Sequence, residues 1–121
     1  MPYEVYKWLH IVGVILLLLA LGSVATHAMH GGQRAGNPAR RLAAFSHGLG
    51  LLLILVAGFG LLARLQIGGI PGWAWAKLVI WAVLGAMLVL PYRMPRYAGA
   101  LWGVVAVLAA AAAWLAIYKP F

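Results

Sequence analysis

Five side chains carry most of the chemistry available within the apolar runs of this sequence: His10, His27, His30, His47 and Lys77. Imidazole can ligate a metal or relay a proton, and an amine can ligate iron or hold a carboxylate. There is no cysteine, so disulfides, iron–sulfur clusters and thiol chemistry are excluded. Ligation of a metal or cofactor therefore falls to His, Lys, Met, Tyr or Glu4, the sole acidic residue. An ionisable group near the centre of a bilayer costs about 3 kcal/mol or more, which makes each one a functional candidate.

Depth sorts the five into two groups. His10 and His27 are separated by about 25 Å along one helix at 1.5 Å per residue, so they cannot share a small ion. His47, near the start of the second apolar run, shares an end with His27 and His30, while Lys77, early in the third, is level with His10. On a 3.5-residue seam His10, Gly13, Leu17, Ala20, Val24 and His27 form one stripe, and His47, Gly50, Ile54, Ala57 and Leu61 another. Both stripes can face a bundle interior, and their glycines and alanines leave the room a flat macrocycle needs. The same small residues also serve plain helix packing.

The inner group, His27, His30 and His47, has three readings. His27 or His30 could face His47 as a pair of axial haem ligands. The three imidazoles could hold copper or zinc. They could equally be hydrated interfacial side chains beside a basic loop. Of the outer pair, Lys77 can snorkel to the interface, whereas His10 has less reach and needs a partner inside.

The elements that position these residues follow from composition. The 121-residue chain is 66% hydrophobic and 8% charged, against about 25% charged in ordinary soluble domains, with mean hydropathy +1.00. This indicates an integral membrane protein. Four apolar runs, about 3–28, 42–65, 73–90 and 98–118, are each read as long enough to cross a 30 Å core, which takes roughly 20 helical residues. They are continuous and rich in Leu and Ala, without the alternation of a barrel wall. The breaks GGQRAGNPAR, IGGIPG and PYRMPR carry Gly, Asn and Pro, and such short connections predict an all-α, up-down four-helix bundle in one domain over 1–121.

The net charge of +8 comes from Lys and Arg scattered between apolar runs, which argues against nucleic acid as a partner. Loops one and three hold Arg34, Arg40, Arg41, Arg93 and Arg96; the opposite end holds Lys7, Arg64, Lys77 and Lys119. The expectation is an inner-membrane protein with loops one and three cytoplasmic and both termini outside. Ser23-Val24-Ala25 offers a small-x-small cleavage pattern, yet Lys7 follows the acidic Glu4 instead of opening a basic leader, so retention of the first span is expected. Trp8, Trp73, Trp75, Tyr92, Tyr97 and Tyr118 lie near span ends as interfacial anchors. Gly99 and Gly103 form a GxxxG pair suited to packing within the bundle or to a homo-oligomer seam.

Three stretches in order, YKWLHIVGV, PGWAWAKLVIW and the terminal IYKPF, resemble the HemJ-type membrane protoporphyrinogen oxidases, and more loosely the CopD and SirB-like membrane families. The resemblance implies a haem b protein that oxidises protoporphyrinogen IX to protoporphyrin IX in the membrane. It assigns His10 to the iron and Lys77 either to the iron or to a propionate or substrate carboxylate, with His30 matching a further histidine at the end of the first helix. A haem- or copper-binding subunit without enzymatic activity, and a small structural or assembly protein with passive histidines, are the alternatives.

Overall fold

The computed structural model describes residues 2–65 and 68–121, and among them every regular element is helical. They are α1 (Tyr3–Met29), α2 (Arg40–Arg64), α3 (Gly72–Ala86), a single turn α4 (Leu90–Arg93) and α5 (Ala98–Tyr118). Ile67, at the head of the second predicted break, lies outside the described residues.

Local chemistry sets the helix ends. Glu4 in the first turn of α1 complements the positive end of the helix dipole. At the other end, Gly31 takes φ 79°, its N–H donates to Ala28 O at 3.1 Å, and the Gly32 N–H donates to His27 O at 3.0 Å. This is a Schellman stop, and it needs a left-handed residue where glycine stands. The third predicted span divides: α3 ends at Ala86, and the chain passes through a turn into α4, which carries Pro91. One helix therefore does not run over 73–90: the Met87 N–H turns to Leu84 O at 3.2 Å, and the Tyr92 and Arg93 N–H groups open a new turn on Val89 O, with Pro91 at its start, where a missing N–H is tolerated.

Helices α1 and α2 form the most extensive pair. They cross where two glycines face each other: a Cβ on Gly13 would lie 2.9 Å from Gly50 O, and one on Gly50 would lie 2.7 Å from Gly13 O and 2.8 Å from Leu17 N. The Ser46 hydroxyl donates to Leu16 O at 2.7 Å across the same seam. Helix α5 packs on α1 and on α3. Leu17 and Leu21 of α1, Leu84 of α3 and Val105 of α5 join Met87 in one core cluster. The α2–α3 contact is held by polar groups, the Trp81 indole N–H donating to Leu51 O at 3.0 Å and the His47 Nε2–H to Leu84 O at 3.4 Å.

Small residues line much of the seam between α1 and α2. Nearly all the buried apolar residues of α1 and α2 after Leu21 are small or short, namely Val24, Ala25, Ala28, Ala43 and Ala57. The outer faces carry Trp8, Ile11, Ile15 and Leu19 on α1 and Phe45, Leu52, Val56 and Phe59 on α2. Small residues in the seam let the helix backbones approach closely. Among the described residues, three helices are long and apolar enough to cross a membrane, Tyr3–Met29, Arg40–Arg64 and Pro95–Tyr118; Gly72–Ala86 is shorter.

Two of the six predicted anchors are internal. Trp73 is 9% exposed and packs with Ala74 and Leu115, and Tyr92 is half-buried in a hydrogen-bonded network. Trp8, Trp75, Tyr97 and Tyr118 are exposed.

Candidate functional site

His10 occupies the third turn of α1, half-buried on the face toward α2. Its Nδ1 lies 3.0 Å from Ile54 O. A carbonyl oxygen only accepts, so Nδ1 carries the proton and the neutral ring keeps its lone pair on Nε2. Metal-bound histidines commonly use this arrangement, in which a backbone carbonyl fixes the tautomer and leaves the other nitrogen to the ion. Gly58 borders the ring: a Cβ there would stand 3.4 Å from His10 Cε1. The helix seam thus makes space for an imidazole at this level.

Lys77 lies on α3 at the same end, half-buried. It donates no hydrogen bond and forms no ion pair among the described residues. Its neighbourhood is built by the end of the chain. Lys119 adopts a left-handed conformation at φ 46° that ends α5. Its ammonium sits 5.4 Å from the centre of the Trp73 ring and donates to Ala116 O at 2.6 Å. Phe121 then folds onto the start of α3, where a Cβ on Gly72 would lie 2.5 Å from the Phe121 ring. The stretches PGWAWAK and IYKPF, about forty residues apart, are therefore one physical unit.

The inner histidines part company. His27 Nδ1 is 2.8 Å from the Tyr92 hydroxyl; that hydroxyl also accepts from Asn37 Nδ2 at 3.0 Å. The Asn37 Oδ1 in turn accepts the Ala39 N–H at 2.9 Å. His30 is exposed and its Nδ1–H donates to Thr26 O of its own helix at 2.8 Å. His47 is buried and turned toward α3. Among the described residues no group of three or more His, Cys, Asp or Glu is placed to hold a metal ion.

A haem tests these donors differently. His10 suits an axial ligand, because its Nδ1–H is engaged and its Nε2 is left over. The glycines of the seam do not supply the room: Gly13 and Gly50 are filled by each other's backbone, which corrects the expectation that they leave space for a macrocycle.

Sequence reasoning did not identify Tyr92 and Asn37 as members of a network. Asn-Pro and Pro-Tyr signal turns, but their partners lie 55 and 65 residues apart along the chain. No family model, curated protein or solved structure matches this chain.

Proposed function

We propose that the chain is an integral membrane four-helix bundle, α1, α2, α3 and α5, with both termini on the outer side of an inner membrane, and that its His10 and Lys77 end associates with haem b. The observation that carries this reading is the His10 ring, held by the Ile54 carbonyl with Nε2 left for a ligand; Lys77 on α3 adds an unpaired, half-buried ammonium. His10 would hold the iron, and Lys77 would hold a propionate or a substrate carboxylate. An ammonium in a low-dielectric site attracts such a group far more strongly than it would in water.

The reaction that fits the resemblance is oxidation of protoporphyrinogen IX to protoporphyrin IX. Bound haem would supply one-electron transfer to an acceptor. The residues of this chain orient the ring of His10, present a cation at Lys77, and pack Trp73, Ala74 and Leu115 into an apolar cluster at the start of α3. A second reading, a haem- or copper-binding subunit without enzymatic activity, draws on the separation of the inner histidines, which leaves His10 as the half-buried imidazole held by a backbone carbonyl with Nε2 left over. Expression in a strain lacking protoporphyrinogen oxidation separates the two. The enzyme reading requires rescue by the wild type and loss of rescue in Lys77→Ala; haem binding without rescue favours the subunit.

A further inference from the structure

The end of the molecule opposite His10 carries five arginines, Arg34, Arg40, Arg41, Arg93 and Arg96, all exposed. The sole acidic side chain, Glu4, lies in the first turn of α1, about 40 Å away along that helix. Two of the five are engaged: Arg40 donates to Ala35 O at 3.0 Å, and Arg96 lies 5.7 Å from the centre of the Tyr97 ring. Arg34 donates no hydrogen bond and forms no ion pair among the described residues. It lines an open crevice of about 530 Å³ together with Gly31, Gln33, Tyr92 and Pro95.

The walls of this crevice are held in place. Asn37, 5% exposed, ties its own loop through Ala39 and reaches across to the Tyr92 hydroxyl. His27 fixes the same hydroxyl from α1. Gly32 lies directly beneath the His27 ring, where a side chain would collide with it. Loop one is thereby locked against the turn after α3, and Arg34 is presented from an ordered backbone, which lowers the entropic cost of capturing a ligand.

A planar guanidinium offers parallel N–H donors that match phosphate oxygens, and the surrounding arginines add a long-range attraction for anions. We infer that the crevice between loop one and the Tyr92–Pro95 turn binds a phosphate group, with Arg34 as its direct ligand. The group is carried by an anionic phospholipid headgroup or is free phosphate. Its position at the helix ends is where headgroups lie, and basic pockets at such ends recognise anionic lipids.

The test uses the full-length protein in a neutral detergent, with a fluorescent phosphatidylglycerol as probe. Wild type binds it at least tenfold more tightly than phosphatidylcholine. Arg34→Gln weakens binding about tenfold or more, Arg34→Lys falls between, and Arg41→Gln, which removes an equal charge outside the crevice, changes it less than threefold. Unchanged far-UV helicity in each variant secures the comparison. Displacement by sodium phosphate, beyond that by sodium chloride at matched ionic strength, assigns the site to free phosphate; no displacement assigns it to the headgroup. Equal losses in Arg34→Gln and Arg41→Gln, no loss in Arg34→Gln, or equal binding of the two lipids would overturn the inference.

Discussion

Replacing Gly50 by alanine sets one methyl group against the backbone of α1. The new carbon would lie 2.7 Å from Gly13 O and 2.8 Å from Leu17 N, some 0.7 Å inside the 3.4 Å of ordinary contact, and neither atom can rotate away. The two helices must separate, which strains the Ser46 bond to Leu16 O at 2.7 Å and the His10 bond to Ile54 O at 3.0 Å. Overpacking of this kind costs about 1–3 kcal/mol, and each weakened hydrogen bond adds about 0.5–1.5 kcal/mol. The better helix propensity of alanine returns roughly 1 kcal/mol. A net loss of about 1–5 kcal/mol is expected. Gly48→Ala, on the same helix with nothing within 4 Å of its added carbon, should be neutral or stabilising. Unfolding of both variants by a denaturing detergent, followed by tryptophan fluorescence, measures the difference. If Gly50→Ala and Gly48→Ala unfold alike, the glycine crossing is not where α1 and α2 meet.

Tyr92→Phe removes the hydroxyl shared by His27 and Asn37 and should cost about 1–3 kcal/mol for the groups left unpaired; a double-mutant cycle with His27→Ala should show strong coupling, and additivity would contradict the network. Truncation after Tyr118 removes the Lys119 contact with Trp73 and the Phe121 ring from Gly72. It should red-shift the tryptophan emission and lower the melting temperature, and an unchanged spectrum would show that the clasp does not form. A reporter enzyme fused to Phe121 should report the outer side of the membrane and one inserted after Gly36 the cytoplasm; the opposite pattern would reverse the proposed orientation.

Much of the fold was legible because apolar run length measures helix length directly. The first, second and fourth spans were placed within two residues of α1, α2 and α5. The third helix is shorter than its apolar run, because hydropathy continues through Met87, Leu88 and Val89 while helical hydrogen bonding stops at Ala86 and restarts at Leu90. Ring destinations were less legible. The 3.5-residue stripe put His10, Gly13, His47 and Gly50 on interior faces, and Gly13, Gly50 and His47 are indeed buried. It could not say that the glycines would face each other, or that His47 would turn to α3. Trp73 and Tyr92 were read as anchors because they stand near span ends. The partners that draw them inward, Leu115 for one and His27 and Asn37 for the other, are brought near only by the tertiary fold.

The central claim, that His10 holds haem iron, is tested most directly by the absorption spectrum of detergent-purified protein after expression with added haem. The account predicts a Soret band in the wild type and in His47→Ala, and its loss or a clear displacement in His10→Ala at equal protein concentration. A wild type with no Soret band, or a band identical in His10→Ala, would contradict it.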